Sequence, residues 1–143
     1  MSQSIEVDYD LPHAPEKVWR ALTDSALLAS WLMENDHQPV VGHRFSFRAQ
    51  PMGGWDGIVS CEVLNADAPR LLRYTWQGAR VIEGGVGLHL DTVVTWTLEA
   101  TPTGTRLRLG HTGFQDKDAF AYENMGKGWR GHLAERLAKT LSG

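Results

Sequence analysis

The stretch Phe120 to Leu141, FAYENMGKGWRGHLAERLAKTL, constrains the fold more than any other part of the chain. Tyr122, Met125, Trp129, Leu133 and Leu137 recur at the spacing that lines up along one side of an α-helix, while Asn124, Lys127, Glu135 and Lys139 fall on the other. A helix of this kind lies on an apolar surface with its back to water. Gly126, Gly128 and Gly131 sit inside it, each costing about 0.5–1 kcal/mol relative to alanine. That cost is offset where backbones approach closely or a guest needs room.

The surface it lies on is read from period-two alternation. Ile5, Val7, Tyr9 and Leu11 alternate with Glu6, Asp8 and Asp10; Leu90, Thr92, Val94, Trp96 and Leu98 alternate with Asp91, Val93, Thr95, Thr97 and Glu99. Phe45 and Phe47, then Val59, Cys61 and Val63, then Leu72, Tyr74 and Trp76, and finally Leu107, Leu109 and His111 form further inward sets. After the first strand, Pro15-Glu16-Lys17 opens a short helix with Val18, Ala21 and Leu22 inside, and a second runs from Ala26 to Leu32 behind Thr23-Asp24-Ser25. Met33 to His43 has no sustained period and is expected to be a surface connection. Pro51 to Gly57 reads as a turn-rich connector, and Gln77 to His89 as a long glycine-rich link.

The expected fold class is α+β: a curved antiparallel sheet wrapped around one long C-terminal helix, with two short helices after the first strand, as a single domain over residues 1–143. A bent sheet and a straight helix cannot touch along their whole length, so a cavity between them is expected.

At 143 residues the chain is long enough for one domain to bury its own core. Its net charge of -3 lacks the basic footprint of a nucleic-acid binder, and no Lys/Arg run suggests a stable membrane contact. The single cysteine, Cys61, makes no internal disulfide, and the start MSQSIEVDYD has neither the charged nor the apolar region of a secretory signal. The expected setting is cytoplasmic.

The signposts Ala14-Pro15-Glu16-Lys17-Val18-Trp19, Ala21-Leu22-Thr23-Asp24, Leu28 with Trp31, and Gly42 with Phe45 recur in order. They continue through Leu72-Arg73-Tyr74-Thr75-Trp76, Val94-Thr95-Trp96-Thr97-Leu98, Gly104-Thr105, His111-Thr112-Gly113-Phe114 and Gly128-Trp129. Over nearly its whole length the chain thereby resembles the SRPBCC, or START-like, helix-grip superfamily, in the branch related to the C-terminal domain of the heat-shock-protein-90 ATPase activator. The resemblance implies a cavity under the long helix that takes small apolar or amphipathic molecules. It also implies two other roles known in the superfamily, chaperone regulation in a stress response and aromatase or cyclase chemistry. Without a counterpart of the activator's separate N-terminal domain in these 143 residues, a full co-chaperone role is not expected.

Candidate chemistry is sparse. His111 shares the inward face with Leu107 and Leu109, whereas His89 and Asp91 share the other face, so the three do not converge on a metal. Gly53-Gly54 and Gly84-Gly85-Val86-Gly87 lack the Gly-Lys-Ser/Thr ending of a phosphate loop. Cys61 sits mid-strand on an apolar face, and the carboxylates alternate outward. No catalytic residue, metal or cofactor is expected. Trp76, Trp96 and Trp129 point into the space between sheet and helix, with Trp31 and Trp55 near its mouth and Trp19 in the core. The expected ligand wall is Phe45, Phe47, Tyr74, Trp76, Val94, Trp96 and Leu109 on the sheet, facing Tyr122, Met125, Trp129 and Leu133 on the helix. Tyr74, His111 and Tyr122 would orient the ligand by hydrogen bonds. The expected function is non-catalytic binding of a small hydrophobic or aromatic molecule by a monomer or homodimer. A chaperone contact is the alternative, made through the outer sheet face or the Met33 to His43 connection, and an enzyme built on the same cavity is a further one.

Overall fold

The alternating segments assemble into one seven-stranded antiparallel sheet in the computed structural model, which describes residues 3–50, 55–81 and 87–142. Its strands are β1 (Gln3–Leu11), β2 (Glu34–Asn35), β3 (Arg44–Arg48), β4 (Trp55–Asp67), β5 (Leu71–Val81), β6 (Gly87–Thr101) and β7 (Gly104–Phe114). They lie in the order β1-β7-β6-β5-β4-β3-β2. From β2 to β7 each strand pairs with its successor, and β1 closes the far edge against β7. Two short helices, α1 (Pro15–Thr23) and α2 (Ser25–Trp31), carry the chain from that edge to the opposite one.

Strand parity placed the inward residues correctly. Phe45 stands opposite Cys61 and Phe47 opposite Val59, Tyr74 opposite Val94, and Trp96 opposite Leu109; all eight are buried in one continuous core. The outer face is wet and carries exposed ion pairs, such as Arg108 to Asp8 at 2.9 Å and Arg106 to Asp10 at 3.5 Å. Asp91 is exposed and accepts from Gln77.

Several expectations change. The link expected over Gln77 to His89 is largely strand, because β5 runs on to Val81 and β6 begins at Gly87, each pairing with the other. The connector expected over Pro51 to Gly57 likewise gives its last residues to β4. Pro51 to Gly54 and the Gly84 to Val86 part of the glycine run lie outside the described residues, as do the side chains of Trp55 and His89. Trp31 is not at a mouth. It is 1% exposed, and its indole N–H donates to the carbonyl of Ala21, pinning α2 onto α1.

The expected single C-terminal helix is two, α3 (Ala119–Arg130) and α4 (His132–Ser142). The break falls at Gly131, whose φ of −106° and ψ of −110° leave the helical region. A Cβ there would stand 2.9 Å from the carbonyl oxygen of Lys127, so glycine permits a close approach that alanine would block. Trp129, two residues earlier, has its carbonyl bonded at 2.5 Å by the hydroxyl of Tyr9 from β1. The sheet thus supplies a donor near the interruption. Among the described residues no helix is long and apolar enough to cross a membrane.

Candidate functional site

The concave face of the sheet meets α3 through aromatic rings, while α4 packs on α1 and α2. Phe45, Phe47 and Tyr74 touch one another, Phe47 meets Trp76 at 5.2 Å between centroids, and Trp76 meets both His111 and Trp129. Trp129 reaches Trp96 edge-on at 5.5 Å, and Trp96 in turn meets Trp31 and Tyr9. Edge-to-face contacts at these separations suit the ring quadrupoles.

Of the expected wall, Phe47, Val94, Leu109, His111 and Trp129 are each 0% exposed. A void able to hold a water would add accessible area to its lining, so none adjoins these five side chains. Phe45, Tyr74, Trp76 and Trp96 are buried as well. Tyr122, Met125 and Leu133 differ: they pack against the core yet stay part-exposed. The Tyr122 ring lies edge-on to Phe114, and its hydroxyl donates to the carbonyl of Ser4 over 3.4 Å.

Around Trp129 the interior polar atoms are bonded to one another. Trp129 Nε1 donates to His111 Nδ1 at 3.2 Å, and His111 Nε2 lies 2.8 Å from Thr92 Oγ1. Thr92 spends its own hydrogen on the carbonyl of Trp76. An indole N–H can only donate, so Nδ1 is the acceptor and Nε2 carries the proton toward Thr92. Burial holds the imidazole neutral, lowering its pKa to about 3. Both nitrogens of His111 are therefore engaged within the fold. Tyr74 Oη accepts from Trp96 Nε1 at 3.0 Å, and burial pushes the phenol far above its ordinary range.

The inner face is not uniformly filled. β5 carries inward side chains at Leu72, Tyr74 and Trp76, but the next inward position is Gly78, paired with Val59 on β4 and Leu90 on β6. Gly57, buried two residues before Val59, lies in the register irregularity of β4 with φ of 81° and adds no side chain there. Leu90 beside this bare patch is only part-buried. On the helix side Trp129 covers Trp76, and Met125 lies one turn before it. A solvent-open groove of about 670 Å³ lies outside the grip, between the start of β1 and α3, where Tyr122 meets Lys127 and Arg130.

Sequence reasoning missed His37. The segment Met33 to His43 was expected at the surface, yet the His37 side chain is 3% exposed, edge-on to Phe45 at 4.6 Å and 6.1 Å from Tyr74. Burial lowers its pKa to about 4. The only hint was a histidine just before an inward aromatic strand, and no periodicity marks it. Cys61 is buried, with its thiol pushed well up by desolvation. No group of three or more His, Cys, Asp or Glu side chains among the described residues is arranged to hold a metal.

An antiparallel sheet gripping C-terminal helices, with short helices inserted after the first strand, defines an α+β helix-grip domain. The chain matches the family described as Activator of Hsp90 ATPase homolog 1-like protein over residues 12–142, and it belongs to that family. Protein MLL2253 from Mesorhizobium loti is 39% identical, with 98% of this chain and 97% of that one covered and a TM-score of 0.86. Protein BH1534 from Bacillus halodurans is 28% identical over 97% and 96% of the two chains, TM-score 0.75. Protein CV1439 from Chromobacterium violaceum is 25% identical over 98% of each, TM-score 0.74. Among curated proteins, no sequence matches.

Proposed function

We propose that this chain binds a small apolar or aromatic molecule between its sheet and its C-terminal helices, without carrying out chemistry on it. The observation behind this reading is the bare inner patch at Gly78, with Gly57 on the neighbouring strand, bordered by Trp76 and a part-exposed Leu90. Aromatic walls around a floor without side chains suit a flat guest, whose burial contributes about 25 cal/mol per Å² of apolar surface. The reading stops at binding because the inward polar atoms of His111, Thr92 and Trp129 are committed to each other. The test is uptake of anilinonaphthalenesulfonate, followed by its fluorescence. Gly78→Leu should fill the floor and abolish uptake with the circular dichroism unchanged, and Trp129→Ala should weaken it; equal uptake by all three proteins would overturn the reading.

A second reading, regulation of a chaperone, is favoured by the family and by Val40 and Val41, which stand 57% and 63% exposed at the turn before β3. It is tested by adding the domain to a purified heat-shock-protein-90 chaperone. A rise in ATPase rate that Val40→Asp with Val41→Asp removes would support it, and an unchanged rate would end it.

A further inference from the structure

His37 combines three properties that do not ordinarily occur together. It is buried to within 3% of complete, neither ring nitrogen has a hydrogen-bond partner among the described residues, and its backbone is held in place from both sides. On one side Asn35 Oδ1 accepts from the His37 N–H at 3.0 Å, while the Asn35 amide donates to the carbonyls of Ser25 and Met33. On the other, Asp36 Oδ1 accepts from the Ser46 N–H at 2.9 Å, and the Asp36 carbonyl faces the His43 ring at 2.9 Å. These bonds fix the backbone from which the imidazole projects. A buried polar group left unpaired costs about 1–3 kcal/mol, so a segment anchored this firmly holds the ring where a partner is wanted.

The surroundings say what that partner is. A neutral imidazole presents one donor and one acceptor. The Tyr74 ring lies beside it, and the Tyr74 hydroxyl, which accepts from Trp96, has no acceptor for its own hydrogen among the described residues. Phe45 presents a ring against His37, and Cys61 stands opposite Phe45 in register. The charged groups nearest it, Asp36 and His43, are held in bonds of their own to Ser46 and to the Asp36 carbonyl, and desolvation disfavours a charged imidazole, so a neutral guest suits the site better than an ion.

We propose that His37 is the polar recognition point of a subsite, flanked by Phe45 and Tyr74, for a small neutral aromatic or aliphatic molecule bearing a hydroxyl group. Such a hydroxyl donates to one imidazole nitrogen or accepts from the other, as the ring alone cannot do for itself. The subsite lies four residues along β5 from Gly78, at the β3 flank. It rests on the reading that this interior admits apolar guests, and adds a chemical class to it.

The experiment uses phenol and toluene, which match in size and differ in the hydroxyl, with binding measured by titration against the wild-type protein and His37→Leu. One net hydrogen bond is worth about a tenfold change, so the ratio of phenol to toluene affinity should fall about tenfold in the variant while toluene binding holds. Nitrogen-15 shifts of the His37 imidazole in the wild-type protein supply a readout that needs no variant: phenol should move them and toluene should not. If both probes bind and the ratio is unchanged, or if phenol leaves the imidazole shifts in place, His37 is satisfied by water alone and the inference fails while the ligand reading stands. If neither probe binds and anilinonaphthalenesulfonate is also refused, both fall together.

Discussion

The indole N–H of Trp129 on α3 donates to Nδ1 of His111 on β7 across 3.2 Å, and this one bond settles which imidazole nitrogen keeps its proton. The consequence runs on through Thr92 to the backbone of Trp76. Helix and three strands are thus joined by a chain of bonds in which each donor has one acceptor, inside a region that excludes water.

Breaking the middle of that chain should be costly. His111→Leu leaves the Trp129 N–H buried without an acceptor, and urea unfolding should register a loss of about 1–3 kcal/mol from that group alone. His111→Gln, whose amide offers both an acceptor and a donor, should recover part of it. Equal loss in the two variants would mean that shape, not hydrogen bonding, holds the residue.

Acid should destabilise the fold through the buried imidazoles of His37 and His111. Folded-state values of about 4 for His37 and about 3 for His111 lie below the ordinary 6.5. Above pH 6.5 neither the folded nor the unfolded chain carries these protons, so stability is indifferent to them. As pH falls below that value the unfolded chain takes up protons that the folded chain refuses, and stability declines by about 1.4 kcal/mol per pH unit for each residue. The decline continues to about pH 4 for His37 and about pH 3 for His111. In His37→Leu the slope between about pH 4.5 and 6 should drop by one proton's worth; an unchanged slope would mean that His37 is protonated in the folded protein.

The helix break should be intolerant of a methyl group. Gly131→Ala would press a Cβ against the Lys127 carbonyl oxygen at 2.9 Å, a backbone atom with little freedom to yield, at about 1–3 kcal/mol. Tyr9→Phe removes the donor bonded to the nearby Trp129 carbonyl and should cost about 1–2 kcal/mol. Chemical denaturation of each variant checks both, and a neutral result at Gly131 would show that the two helices can merge into one.

What the sequence by itself determined follows from local periodicity. The inward faces of β1, β5, β6 and β7 could be read because one-sided burial repeats every second residue, and the helical face from Tyr122 to Leu137 because it repeats at the helical spacing. Those two periods, in that order along the chain, sufficed for an antiparallel sheet closed by a C-terminal helical segment, and the signposts from Ala14 to Trp129 carried the resemblance to helix-grip proteins. The tertiary structure decided what periodicity does not encode. Whether Trp31 borders a mouth or fills a core depends on α2 folding back onto the Ala21 carbonyl. Whether the glycines near the C-terminus merely thin a helix or end it depends on close approach at Gly131 and on Tyr9 arriving from the far end of the chain. The burial of His37 came from a short segment pinned by Asn35 and Asp36 at the sheet edge. Burial there is a property of what packs over a residue, and the neighbours that cover it are set only when distant strands meet.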